Sequence, residues 1–141
     1  MSQTAAVQRI AIGSDHGGVD LKDAVVAHLR AQGHAVEDLG THGGASVDYP
    51  DFADQVTARV LDGSADAGML VCTTGIGMSI SANRHTGIQA SLVHDVETAK
   101  ITREHNNSNV LVLSGKATSP EVGAQIADAW LSTPFAGARH A

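Results

Sequence analysis

Alternating strand-like and helix-like segments predict an α/β protein, a three-layer αβα sandwich of Rossmann or flavodoxin type. Five short apolar segments are typical of buried strands, and segments with helical periodicity separate them. Because strands alternate with helices, we expect one five-stranded parallel sheet covered on both faces. Hydrophobic residues make up 43% of the 141 residues and charged residues 17%, which indicates a single globular domain spanning residues 1–141.

The order of elements follows from the apolar pattern. The predicted strands are Arg9–Ser14, Ala35–Leu39, Gly68–Cys72, Ile88–Val93 and Asn109–Ser114. The predicted helices are Val19–Ala31, Phe52–Leu61, Met78–Asn83, Val96–His105 and Pro120–Leu131. Three glycines, Gly33, Gly63 and Gly87, stand just past helix ends, where a left-handed backbone is often required.

Charge and composition exclude several classes of protein. The net charge of −6 leaves no basic stripe to neutralise phosphates, so we expect no nucleic-acid partner. No apolar run approaches the roughly 18 residues of a membrane span, and the first residues lack a signal-peptide pattern. The single cysteine excludes an internal disulfide and suits a reducing compartment. We therefore expect a cytoplasmic protein with no membrane association.

The ends of the predicted strands indicate where a ligand would bind. In open parallel sheets, ligands bind beyond the carboxyl ends of the strands, near the point where the strand order reverses. Three of the five segments that follow the strands contain a histidine, although ordinary loop polarity alone also explains each of them. These segments are Ser14–Gly18, Gly40–His42, Cys72–Gly75, His94–Asp95 and Ser114–Lys116.

The segment Ala67–Asn83 (AGMLVCTTGIGMSISAN) carries the strongest chemical signal. Its apolar strand ends at Cys72, two threonines follow, and Gly75-Ile76-Gly77 opens a helix. Amides free at a helix start and the helix dipole hold an oxyanion, while a thiol there can accept a proton. A helix N-terminus lowers a thiol pKa from about 8.5, so we expect thiolate to be accessible near neutral pH. The alternative is that Cys72 is simply a small buried apolar residue.

Nucleotide and metal sites are not predicted. A dinucleotide-binding loop would need a third glycine where Ile80 stands, and Gly115-Lys116-Ala117 does not match a phosphate-binding P-loop. The eight histidines adopt no tight metal-ligand spacing, and one cysteine builds no thiolate site. We therefore expect no cofactor and no metal, although spacing alone leaves open ligands assembled from distant loops.

Four motifs occur in the order and spacing typical of one known family. They are Ser14-Asp15-His16-Gly17-Gly18, Asp48-Tyr49-Pro50, Cys72-Thr73-Thr74-Gly75-Ile76-Gly77-Met78-Ser79 and Arg103-Glu104-His105-Asn106-Asn107. Together they resemble the type B ribose-5-phosphate isomerases, which are grouped with the paired-subunit galactose-6-phosphate isomerases. The resemblance extends from Arg9 to His140.

The resemblance implies a metal-free aldose–ketose isomerase that interconverts ribose 5-phosphate and ribulose 5-phosphate through an enediolate. Cys72 matches the base of the cysteine branch, because Met78 stands where the other branch has a glutamate. Thr74 matches the residue that positions the substrate oxygens, and His105 matches the acid that opens the furanose ring. The positions that match or adjoin substrate contacts are Asp15, His16, Tyr49, Thr73, Gly75, Ile76, Gly77, Asn106, Lys116 and Arg139.

The resemblance also implies a homodimer or tetramer whose active site is shared, with Cys72 of one chain facing His105 and Arg139 of its neighbour. This sequence differs from the family pattern in two places, and both concern the residues expected to bind the substrate phosphate. Lys116 stands where the family usually has an arginine, and Ala141 ends the sequence where the family continues with another arginine and a helix. We therefore expect a weakened phosphate clamp. This leaves open isomerisation of a tetrulose phosphate, allose 6-phosphate or galactose 6-phosphate, or a non-catalytic sugar-phosphate-binding module.

Overall fold

The computed structural model describes residues 7–40 and 49–136, and the elements below lie within those ranges. The strands are β1 (Arg9–Ser14), β2 (Ala35–Asp38), β3 (Ala67–Cys72), β4 (Ala90–Leu92) and β5 (Val110–Ser114). The helices are α1 (Val19–Ala31), α2 (Tyr49–Leu61), α3 (Ile76–Asn83), α4 (Val96–Asn106) and α5 (Pro120–Ser132). No helix among these combines the length and apolar character needed to cross a bilayer.

The five strands form one parallel sheet in the order β2-β1-β3-β5-β4, which confirms the predicted α/β fold. Strand β1 is flanked by β2 on one side and β3 on the other. The strand that follows β1 in the chain is therefore added to one side of it, and the later strands are added to the other side. All six residues of β3 are buried, as expected for a central strand with helices over both faces. The carboxyl ends of β1 and β3 therefore frame the topological switch point.

Two apolar cores lie on the two faces of the sheet. On one face, Ile12, Met69 and Leu111 pack with the fully buried Trp130 of α5. On the other face, Leu70 and Val112 pack with residues of α2 and α3, and the Cys72 side chain belongs to this second core. The thiol is thus directed toward the α3 side of the sheet, at the end of the central strand.

Three predicted boundaries were wrong by two or three residues, among them the start of α3, which lies at Ile76 rather than Met78. Helix α2 begins at Tyr49 rather than Phe52, because Pro50 falls in the first turn, where its missing N–H is not needed. Strand β4 begins at Ala90 rather than Ile88, because the Ile88 N–H donates to the His85 carbonyl at 3.1 Å and remains in the preceding turn. The predicted left-handed glycines are confirmed, with φ of 93° at Gly33, 83° at Gly63 and 91° at Gly87.

Candidate active site

The loops that follow β1, β3 and β5 are joined by backbone hydrogen bonds at the carboxyl edge of the sheet. The Asp15 N–H donates to the Val71 carbonyl at 3.1 Å, which holds the start of the first loop against β3. The Lys116 N–H donates to the Thr73 carbonyl at 3.0 Å, and the Ser114 hydroxyl donates to the same oxygen at 2.8 Å. Residues from three predicted segments therefore meet at one place.

Glycines allow these three loops to approach closely. A Cβ atom on Gly17 would overlap Oγ1 of Thr73, and one on Gly115 would lie 2.8 Å from the Gly17 carbonyl oxygen. A side chain at Gly115 would require the backbone to move, and one at Gly17 would require the Thr73 side chain to shift. The glycines thus bring the loop that carries Asp15 and His16 against the loop that carries Cys72.

Cys72 lies at the end of β3, where the chain turns into α3. The Gly75 N–H donates to its sulfur at 3.0 Å, and Gly75 adopts a left-handed backbone with φ of 84°. The Ile76 N–H donates to Oγ1 of Thr74 at 3.3 Å, so the exposed Thr74 hydroxyl is fixed beside the first turn of α3. The first-turn amides of a helix have no partner within the helix, and here the amide of Met78 in α3 lies at the thiol together with that of Gly75.

The expectation of a lowered thiol pKa was wrong. The side chain of Cys72 is only 5% exposed, and this burial raises its pKa above the ordinary value because the charged thiolate is poorly solvated. Amide donors from Met78, Gly75 and Thr74 act in the opposite direction, and the negative charge of Asp15 adds to the increase. The resting group is therefore a protonated thiol held among amide donors.

The other residues predicted at this edge differ in their surroundings. Asp15 is half-buried, and its Oδ1 accepts from the Gly18 N–H at 3.1 Å. His16 and Lys116 are exposed on two of the three joined loops. The backbone of Tyr49 begins α2, whereas Arg139, Thr41 and His42 lie outside the described residues.

His105 and Asn106 lie at the opposite edge of the same sheet. They end α4, and a helix that crosses back between parallel strands ends near the amino edge, where β5 then begins. Both residues line an open cleft of about 510 Å³ that also contains Asn83, Gln89, Ala90, Ser91, Asn107 and Phe135. A strand of six residues spans roughly 16 Å, so one chain does not bring His105 to its own Cys72.

The described part of the chain contains no group of three or more His, Cys, Asp or Glu side chains arranged to hold a metal ion. The carboxyl edge nevertheless carries polar groups that can contact a ligand. Lys116 is one of them, and its exposed position after β5 directs a positive charge to the carboxyl edge. An anionic small molecule is the ligand that this arrangement of amides and a cation accommodates.

A buried ion pair near this edge escaped the sequence analysis. Lys22 of α1 is fully buried, and its ammonium group contacts both carboxylate oxygens of Asp38 at 3.0 and 2.9 Å. Asp38 also accepts from the Gly40 N–H at 2.9 Å, and the Gly40 carbonyl accepts from the Ser14 N–H at 2.6 Å. The pair thereby fixes the turn after β2 against the end of β1. A lysine within an amphipathic helix gives no sequence signal of such burial.

Comparisons with known proteins identify the family of the chain. A family model described as Ribose/Galactose Isomerase matches residues 10–141. The chain is 41% identical over 134 residues to ribose-5-phosphate isomerase B of Escherichia coli (strain K12). The aligned region covers 95% of this chain and 90% of that protein.

Solved structures match equally well. The crystal structure of a ribose 5-phosphate isomerase from Thermotoga maritima has a TM-score of 0.92 and 48% identity, covering 94% of this chain and 92% of that one. Ribose-5-phosphate isomerase B from Mycoplasma genitalium, solved with bound ribulose-5-phosphate, has a TM-score of 0.89 and 40% identity, covering 94% of this chain and 88% of that one. The sequence identity of both structures to this chain is well above the level at which structural similarity indicates a common fold alone.

Proposed function

The chain belongs to the ribose/galactose isomerase family, and from that premise we propose that it interconverts ribose 5-phosphate and ribulose 5-phosphate. The observation that carries the proposal is the Cys72 thiol, which ends the central strand among amide donors at the start of α3. A base and an oxyanion site at one point are what an aldose–ketose isomerisation needs. We also expect the protein to act in the cytosol as one domain spanning residues 1–141.

The proton transfer can be written from the residues present. Cys72, once deprotonated, takes the proton from C2 of the open-chain aldose and leaves an enediolate. It returns that proton to C1, while a proton passes from the C2 hydroxyl to the C1 oxygen, so that the ketose forms with no net gain or loss. Thr74 is placed to orient these oxygens, and the amides of Gly75, Ile76 and Gly77 favour the developing negative charge. No redox partner is required.

Ring opening precedes this transfer. The C1–O4 bond of the furanose breaks, O4 gains a proton from His105, and the anomeric hydroxyl passes its proton to water as the C1 carbonyl forms, so that the solvent returns one proton to His105 and none is gained or lost. We assign substrate contacts to Asp15, His16, Tyr49, Thr73 and Asn106. We assign the phosphate end to Lys116 and Arg139, since both carry a positive charge.

The ring acid and the base must meet at one sugar, and we propose that they come from two chains of a homodimer, alone or within a tetramer. The distance between the sheet edges supports this assignment, because His105 is remote from the Cys72 of its own chain. Ile76 and Ile80 support it as well. These two residues form an apolar pair one turn apart on α3, beside the thiol, and are 56% and 53% exposed. A second copy covering this pair would bring its own side chains to Cys72.

A panel of sugar phosphates tests the proposed function. Ribose 5-phosphate, a tetrose 4-phosphate, allose 6-phosphate and galactose 6-phosphate are each assayed for aldose–ketose conversion, with and without a metal chelator. We expect the highest kcat/KM on ribose 5-phosphate and no effect of the chelator. Preference for another sugar would change the substrate but keep the chemistry, whereas binding without turnover would indicate a binding module.

A further inference from the structure

Arg103 is a half-buried cation in the last turns of α4 that contacts backbone rather than a carboxylate. Its Nε–H donates to the Thr133 carbonyl at 3.1 Å, and its Nη1 donates to the Ser108 carbonyl at 2.5 Å and to Oδ1 of Asn107 at 3.3 Å. The guanidinium lies 5.5 Å from the centre of the Trp130 ring. Among the described residues no acidic side chain forms an ion pair with it, and burial lowers the pKa of Arg103.

Two helix ends meet at this guanidinium. Ser108 follows the end of α4, and Thr133 follows the end of α5. The carbonyl ends of helices carry partial negative charge, so they stabilise a cation that has lost part of its hydration. The planar guanidinium reaches acceptors in both segments at once, which a lysine ammonium on a flexible stem does less well.

The contacts of Arg103 connect two segments that contribute to the cleft containing His105. His105 lies two residues further along α4, and the helix closes immediately after it through the left-handed Asn107, with φ of 50°. On the other side, the Ala136 N–H donates to the Glu104 carbonyl at 3.1 Å, and Phe135 lines the cleft. Arg103 thus connects the helix end that carries His105 to the segment 133–136.

We propose that Arg103 is a positioning residue for ring opening. It holds the end of α4 and the segment 133–136 in one arrangement, and so fixes the direction of the His105 imidazole relative to the sugar. This inference rests on the proposed function of His105.

Ring opening can be measured apart from isomerisation. Opening and reclosing a furanose exchanges its two anomers without removing the C2 proton, so a Cys72→Ala protein should still accelerate this exchange. Magnetisation-exchange NMR of ribose 5-phosphate with and without the protein gives the rate. In this background, His105→Ala should reduce the exchange to the uncatalysed rate.

Arg103→Met in the same background should lower the catalysed exchange by about 10- to 100-fold, since a displacement of the acid by about 1 Å costs up to this much. Arg103→Lys should recover only part of the rate, because it keeps the charge but loses the planar contacts. The matched control is Arg30→Met, since Arg30 also donates to a backbone carbonyl, that of Val36 at 3.0 Å, but far from the cleft. An Arg103→Met rate equal to that of the Arg30→Met control would overturn the proposal.

A second measurement does not depend on turnover. The Ala136 amide should exchange its proton with solvent faster in Arg103→Lys and Arg103→Met than in the parent, because the segment loses its contact at Thr133. Unchanged exchange at Ala136 in both variants would also overturn the proposal. Failure of the proposed function itself is distinguishable, because then the parent protein would neither isomerise ribose 5-phosphate nor accelerate anomer exchange.

Discussion

Burial raises the pKa of the Cys72 thiol and the carboxylate of Asp15 adds to this increase, although both residues lie at the same edge of the sheet and both are assigned to the same reaction. The two groups belong to loops that follow neighbouring strands β1 and β3, and the Asp15 N–H binds the carbonyl of Val71, the residue before Cys72. A negative charge so close disfavours a second one. The Asp15 carboxylate therefore adds to the effect of burial in favouring the protonated thiol.

The pH dependence follows from the direction of this shift. Only the thiolate can accept the C2 proton, so kcat/KM should rise with pH, with an apparent pKa above the ordinary thiol value of about 8.5. Asp15→Asn should move the alkylation rate profile of Cys72 to lower pH, because the charge that raises its pKa is removed. The control is Asp20→Asn, an exposed residue of α1. An unmoved profile in Asp15→Asn would show that the carboxylate does not act on the thiol.

Removal of the thiol tests the base. Cys72→Ala should lower kcat by about 100-fold or more, the usual contribution of a positioned general base. Folding and binding should change little, since one small side chain replaces another at a strand end. Thermal denaturation and calorimetric titration with ribose 5-phosphate check both points. Near-normal turnover in a folded variant would remove Cys72 from the mechanism.

Variants that remove one positive charge test which residues bind the substrate phosphate. Lys116→Met should raise KM for ribose 5-phosphate by about tenfold or more, because an exposed cation at the carboxyl edge is lost. Arg139→Met should act in the same direction. Lys116→Arg is the matched control: it restores the charge, and its planar group should bind phosphate at least as tightly. Wild-type kinetics in both neutral variants would mean that other groups bind the phosphate.

Assembly is tested by complementation. Cys72→Ala and His105→Ala proteins, each inactive, are unfolded together and refolded as a mixture. Random pairing makes half of the dimers mixed, and each mixed dimer has one intact site, so about a quarter of wild-type activity should return. Two Cys72→Ala preparations treated in the same way serve as the control. If heterodimers form, as seen by mass spectrometry, and the mixture stays inactive, the two residues do not act across the interface.

Most of the fold could be predicted because local signals agreed with the global arrangement. The strand β3 is apolar throughout, and Gly33, Gly63 and Gly87 have the left-handed backbone that their positions indicated. What the sequence did not reveal depends on three-dimensional packing. Burial of Cys72 outweighs the effect of the amides on its pKa, and no linear pattern shows that Lys22 is enclosed with Asp38.

Strand order is another property that spacing does not determine. The motif around His105 is as clear in the sequence as the motif around Cys72, yet α4 leads into β5 and so ends at the far edge. A single chain therefore carries Cys72 and His105 at opposite edges of its sheet, which is why we propose that a site using both is completed by a second chain. The resemblance to a known family supplied the expectation of a shared site, and the topology gives a physical reason for it.

The buried, protonated state of Cys72 has a consequence for chemical durability. Peroxides oxidise thiolates rather than thiols, and the first product is a sulfenic acid. A cysteine that is 5% exposed and whose thiol has a raised pKa presents little thiolate to such oxidants at neutral pH. The protein should accordingly retain its activity through an oxidative burst that inactivates enzymes whose cysteines rest as thiolates.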